Sequence, residues 1–295
     1  MKKKIVATLM AAAMAVSSLA GCTNGGSEGG VADTSGAGNK VTAKVLEYDL
    51  TEEEYAFAVD MNQPELLTSV NEYIAQIKSD GTFDAICEKY FGNGTPTAVV
   101  SAAEDPSKDQ LLVATNAAFA PFEYMEGDNY YGVDMEIAAG LAEYLGKELV
   151  IQNMDFDAVL LSVNQGKSDM SMSGLTVTDE RKEIVNFTTS YYTASQRIII
   201  RSDDTEFDSV SDAAGIEAIL KTKDSSVKVG VQNGTTGQFY CEGDEEWGFD
   251  GFAMTTTGYK NGSLAVQDLL NGNLDYVIID AAPAKFIAES INEMQ

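Results

Sequence analysis

Hydrophobic and polar positions along this chain follow two rhythms, one of period two and one of helical spacing, and they take turns. From residue 111 the run LLVATNAAFAPFEYMEGDNYYGVDMEIAAGLAEYLGKELVIQNMDFDAVLLSVNQGKSDMSMSGLTVTDER sets short β-branched segments between helical stretches near 134–145 and 156–165. Such alternation specifies an α/β fold with a mostly parallel sheet, whose ligands sit beyond the carboxyl ends of the strands. Asn116, Phe119 and Phe122 follow the first of these strands, and Phe156 opens the helix after the second, so all four belong at one mouth. The two rings at 119 and 122 suit a core as well as a pocket.

The stretch 169–196 reads as strand, turn, helix, strand. Met170 and Met172 alternate with Ser171 and Ser173, and the small residues of SGLT then lead into the helix. Arg181 lies about a turn and a half further on, so its guanidinium and the turn's backbone N–H groups can face one small anion, for which a carboxylate fits. An arginine in a first helical turn equally suits a surface ion pair. A second α/β unit begins near Asp208. In VKVGVQNGTTGQFY a strand ends at Asn233-Gly234 and Thr235-Thr236 starts a helix. A buried strand at 276–279 then delivers Asp280 to its carboxyl end, where the acid either meets a cation or caps the helix before Pro283.

Before residue 111 the pattern predicts strands at 41–48 and 55–59. Pro64 opens a helix with Leu66, Leu67, Val70, Tyr73, Ile74 and Ile77 on one face, Asp80-Gly81 closes it, and a shorter helix carries Phe83, Ile86, Cys87 and Tyr90. Residues 93–110 break the pattern and read as a linker. The first 21 residues have three lysines, a short Ala-rich apolar run and Leu19-Ala20-Gly21 before Cys22, which predicts a lipoprotein signal peptide and a lipid-modified Cys22. Residues 22–40, rich in Gly and Ser, form a flexible tether. The expected location is extracytoplasmic, anchored to a membrane and not spanning it.

Composition narrows the chemistry. At 295 residues and 44% hydrophobic content the chain can bury the cores of two lobes. Beyond the signal, 16 basic residues face 46 acidic ones, a net of −30, which repels nucleic acid and anionic lipid. Histidine is absent, which excludes histidine-based triads, imidazole acid–base catalysis and His-ligated metal sites. Cys87 and Cys241 lack any C-x-x-C spacing and read as two separate buried thiols. Trp247 and Tyr191-Tyr192 read as structural.

The motifs ATNAAFAPFEYME, YGVDMEIAAGLAEYLG, DFDAVLLSVNQGKSDMSMSGLTVTDERKEIVNFTTSYY, VGVQNGTTGQ and NLDYVIID, in that order, resemble the extracellular solute-binding proteins of polar amino acid ABC transporters (family 3 type). The resemblance implies a two-lobe, periplasmic-binding-protein-like (type II) clamshell that closes on a free amino acid and delivers it to a membrane permease, as a monomer with no metal or cofactor. It implies that Arg181 grips the α-carboxylate and that Ser173, Gly174, Thr176 and Thr236 complete that cradle. Asp280 would grip the α-ammonium, and Phe119 and Phe156 would wall the side-chain pocket. Asn116 stands where relatives that take cationic side chains carry an acid, a loss that Asp134 compensates in part, so a neutral polar ligand is as well served. A sensor module, or a dehydratase using Glu123 or Asp134, is the alternative on the same fold.

Order is the departure. The segment VLEYDLTEEEYAFAVDMNQPELLTSVNEYIAQIKSDGTFDAICEKYFG resembles the family's carboxyl end yet comes first, which reads as a circular permutation; a truncated tandem is the competing explanation. It implies one lobe over 55–201, including the linker 93–110, and another from 202–295 with 41–54. The crossings are expected near 49–54 and 200–203.

Overall fold

The computed structural model describes residues 40–245 and 247–295, and residues 41–295 form one unit. The signal, Cys22 and all of the tether but Lys40 lie outside the described residues.

Two five-stranded sheets organise it. In the first, Gln110–Thr115 has Glu148–Asn153, the edge strand, parallel on one side and Met170–Ser171, the central strand, parallel on the other. Ala58–Val59 and Asn186–Phe187 extend that sheet antiparallel. Leu111, Val113 and Ala114 are buried because helices flank the strand, as an apolar run in a parallel sheet requires. The flanking helices include Val133–Leu145 and Phe156–Asn164, within a residue or so of their predicted spans.

In the second sheet Tyr276–Asp280 lies between Lys228–Gln232, parallel to it, and Gln196–Arg201, antiparallel; Thr255–Tyr259 and Ala43–Val45 form the edges. The crossing between sheets therefore precedes Gln196, earlier than the expected 200–203. Ile198, Ile199 and Ile200 are completely buried, and three consecutive apolar residues with no exposed face belong to an interior strand of this sheet.

A short antiparallel pair, Glu53–Tyr55 with Tyr192–Ala194, connects the two sheets. Residues preceding 111 thus serve both. Ala43–Val45 is an edge of the second sheet, whereas Pro64–Asp80 and Thr82–Phe91 pack on the first, where Tyr73 meets Tyr144 at 5.3 Å between ring centroids and Phe91 meets Phe122 at 5.8 Å. Gly81 separates the two helices at φ +84°, a left-handed turn that favours glycine. The linker carries no helix, but Val99 bridges Tyr130 and the Ala102 N–H donates to Leu149 at 2.8 Å, which pins it to the first sheet. Cys87 and Cys241 are unpaired; Cys241 is buried and Cys87 only partly so.

The helix after SGLT is a single turn, Asp179–Lys182. It starts three residues beyond the turn, where the Thr178 hydroxyl caps it by accepting from the Arg181 N–H at 3.0 Å, and Asn186–Phe187 follows too closely for a longer helix.

Candidate functional site

Arg181 leaves that single turn buried, only 7% exposed. Its Nη1 donates to the Thr176 carbonyl at 2.7 Å, and its Nη2 donates to the Gly234 carbonyl at 2.9 Å, on the loop that ends a strand of the other sheet. The Phe156 ring lies 5.8 Å from the guanidinium carbon. Burial draws the guanidinium pKa down, while the Glu53 and Asp280 carboxylates oppose the shift. An arginine holds its charge under such conditions.

Asp280 ends the strand Tyr276–Asp280 and is 3% exposed. Its side chain makes no capping bond to the following helix; it accepts instead from the Tyr55 hydroxyl. Burial, then the nearby Glu53 charge, pushes the Asp280 carboxyl up to about 7, against the lowering influence of the Tyr55 hydrogen bond. Across the strands Asp280 pairs with Gln196, whose Oε1 is buried without a hydrogen-bond partner.

Between these two charges stands Glu53, a residue sequence reasoning missed. Its Oε2 accepts from the hydroxyls of Thr176 at 2.7 Å and Thr236 at 2.8 Å, and its Oε1 accepts from Thr51 at 2.6 Å and from Gln196 Nε2 at 3.0 Å. The run TEEEY looks like a solvated charge run, but Glu52 and Glu54 are exposed while Glu53 shares the buried face with Tyr55. Strand periodicity was the available signal. Thr176, Arg181, Thr236 and Asp280 of the expected set thus converge, with Glu53, Tyr55 and Gln196 added.

Asn116, just after the strand Gln110–Thr115, meets the other lobe directly: Gln232 Nε2 donates to its Oδ1 at 3.1 Å. Ser173 and Gly174 are turned elsewhere. The Ser173 hydroxyl accepts the Asn116 N–H at 3.0 Å and donates to Glu123 at 3.1 Å, while the Gly174 N–H donates to Asp134 at 3.0 Å. The turn's N–H groups are therefore not all free, contrary to expectation. Gly174 has φ +51°, and a Cβ there would lie 2.9 Å from the Phe119 ring, so only glycine lets this turn approach that aromatic wall. Phe119 is nearly buried against Gly174, and Phe122 lies wholly in the core.

Asp134 holds the loop from behind rather than facing the cleft, since its other oxygen accepts from Tyr191 at 2.7 Å. Its partner is Glu123. Both are fully buried; burial raises Asp134 to about 7, and burial together with the Asp134 charge raises Glu123 well above the usual carboxylate range. Two ionised carboxylates would leave Glu123 Oε2 unpartnered, whereas a protonated Glu123 donates to Asp134 and resolves the orphan.

Both carboxyls titrate higher in the fold than unfolded, so their contribution to stability is complete at acid pH and is lost as pH rises, for Asp134 through about 7. Replacing Glu123 with Gln, which keeps a donor for Asp134, is expected to hold stability within about 1 kcal/mol and to lessen the fall of melting temperature between pH 5 and 8, leaving the part due to Asp134 and Asp280; Glu123→Ala is expected to cost about 2–5 kcal/mol.

A cavity of about 390 Å³ lies alongside, lined by Glu52, Glu53, Glu54, Val177, Thr178, Asp179, Lys182 and Trp247; neither Arg181 nor Asp280 lines it. Among the described residues, no group of three or more His, Cys, Asp or Glu is placed to hold a metal ion.

The arginine-binding extracellular protein ArtP of Bacillus subtilis (strain 168) is 32% identical over 197 residues, covering 66% of this chain and 70% of that one. A probable histidine-binding protein of Neisseria gonorrhoeae is 29% identical over 192 residues, covering 65% of each. The chain thus spans about two thirds of the length of these relatives. Among solved structures, the ancestral amino acid-binding protein AncCDT-1, a precursor of cyclohexadienyl dehydratase, superposes with a TM-score of 0.53 at 29% identity, covering 62% of this chain and 75% of that one. An ancestral arginine-binding protein bound to glutamine gives 0.51 at 30% identity, covering 62% and 74%. Two sheets joined by a short strand pair, with the converging residues at their facing ends, make this α/β fold a two-lobe, type II clamshell. A profile of one family matches residues 111–284, more than half of the chain, and on that match the protein belongs to the bacterial extracellular solute-binding proteins, family 3.

Proposed function

We propose that this protein is an extracytoplasmic binding component that captures a free polar amino acid by lobe closure and delivers it to an ABC transporter permease. The observation that carries the reading is a pair of opposite buried charges, Arg181 on one lobe and Asp280 on the other, near enough to influence one another. A zwitterion bridges such a pair, its α-carboxylate on Arg181 and its α-ammonium on Asp280 beside the open Gln196 Oε1. Thr176 and Thr236 supply hydroxyls to the carboxylate, and Phe156 walls the arginine side. Ligands that contact both lobes favour the closed form by their differential affinity for it. The relatives' names point to arginine and histidine, while Asn116 presents an amide and so also suits a neutral polar side chain.

We assign no reaction to the site. Glu123 and Asp134, the acids a dehydratase would need, are bonded to Ser173, Gly174 and Tyr191 behind the loop. The lipobox at Leu19 to Cys22 supports anchoring through a lipid, and the strongly acidic chain supports a partner other than nucleic acid. The circular permutation is supported by the early segment's place in both lobes and by a family match that begins only at residue 111. A monomer is the assembly that the family resemblance implies.

A thermal-shift screen of the chain from residue 22, with Cys22→Ser, against the twenty amino acids plus cystine and ornithine tests the reading. Ligand at a thousand times its dissociation constant stabilises by about 4 kcal/mol, so one or a few polar amino acids are expected to stand clear of the rest. Absence of any shift removes the amino acid reading.

A further inference from the structure

The two threonines named as donors to a ligand carboxylate already have one. A hydroxyl carries a single proton, and those of Thr176 and Thr236 are both given to Glu53 Oε2, at 2.7 and 2.8 Å. Thr176 belongs to the first lobe and Thr236 to the second, so one carboxylate oxygen fastens the two lobes together. Glu53 is itself only 2% exposed, and its other oxygen is held by Thr51 and Gln196. Arg181 lies close enough to feel its charge but donates to backbone carbonyls instead.

We propose that Glu53 is a built-in carboxylate that occupies the α-carboxylate cradle and latches the lobes together, so that an incoming amino acid must displace it from Thr176 and Thr236. The assignment of the cradle rests on the proposed amino acid binding; the latch between lobes does not. Glu53 sits on the strand pair joining the lobes, so its departure from the threonines accompanies their separation. Capture then proceeds by exchange of one carboxylate for another, and the affinity for ligand is lowered by the share of molecules in which Glu53 holds the cradle. Asp280 is spared this competition because a carboxylate accepts several hydrogen bonds and the Tyr55 hydroxyl takes up only its Oδ1.

The experiment uses the chain from residue 22 with Cys22→Ser, as wild type, E53A and the near-isosteric E53Q, each checked for cooperative melting. Small-angle scattering without ligand reads the lobe separation, and calorimetry with L-arginine, L-histidine, L-glutamine and L-cystine reads affinity. The expected results are a larger radius of gyration for ligand-free E53A than for wild type, and about tenfold tighter binding of whichever probe wild type takes; E53Q, which keeps one acceptor oxygen, falls between. If E53A fails to fold, Thr236→Val removes the same bond from its donor side and is expected to open the ligand-free protein likewise. An unchanged radius of gyration, or binding weakened by loss of Glu53, overturns the proposal. Should no probe bind any variant, it is the amino acid reading that fails, and scattering still decides the latch.

Discussion

Replacing Arg181 with alanine is expected to cost about 2–5 kcal/mol of ligand binding, a loss of roughly 30-fold to several-thousand-fold in affinity. The size follows from what is left behind. Arg181 is the cation facing Glu53 and Asp280, both almost fully buried, and its removal leaves the ligand carboxylate and these two acids without a counter-charge. The loss exceeds that of an exposed ion pair, which is screened and contributes little. Arg181→Lys is expected to recover part of the affinity, because the charge remains while the two-pronged reach to the Thr176 and Gly234 carbonyls does not. Calorimetry with the ligand identified by thermal shift checks both variants, and equal affinity in Arg181→Ala and wild type would sink the assignment.

The second large effect concerns pH. An ammonium needs the Asp280 carboxylate ionised, yet burial and Glu53 hold that carboxyl up at about 7 in the absence of ligand. Binding below pH 7 therefore expels a proton, and affinity is expected to fall about tenfold for each pH unit below 7 and to level off above it. The stability of the ligand-free fold runs the other way: a carboxyl raised from its unfolded value contributes fully at acid pH and less as pH rises through 7. Ligand thus stabilises most where the empty protein is weakest. Calorimetry in buffers of different ionisation enthalpy counts the released proton, near one at pH 5.5 and near zero at pH 8.5. Affinity that stays level from pH 5 to 8 would show that Asp280 is not the ammonium's partner.

Arg181 and Asp280 could be singled out in the sequence by their places, one following a small-residue turn and the other ending an apolar strand. Each also suited an ordinary role, a surface ion pair or a helix cap, and their burial could not be read there. The first two strands and the two helices between 110 and 165 were legible from their apolar periods, whereas the short antiparallel strands Ala118–Phe119, Glu123–Glu126 and Asn129–Tyr131 were not, being too brief to show one. Glu53 was hidden by its neighbours: three consecutive glutamates read as a surface run unless strand alternation is applied to them. The burial of Glu123 against Asp134 was hidden by distance, because the two acids stand eleven positions apart and Asp134 is on a helix. The lobe crossing was misplaced because Gln196 and Arg201 frame the isoleucines with polar residues, and the polar frame resembles the start and end of a connector. The turn at Gly174 was found, but its N–H direction depends on Asp134, which no local pattern specifies.

The strand pair between the lobes, Glu53–Tyr55 with Tyr192–Ala194, carries charge chemistry as well as the chain. In most levers the pivot is inert and the load is felt at the arms. Here the pivot itself presents Glu53 to both lobes and Tyr55 to Asp280. If ligand exchanges with Glu53 as proposed, occupancy and bending angle become one variable read at one place, and a permease touching only the outer rims of the lobes would need no separate relay from the binding site.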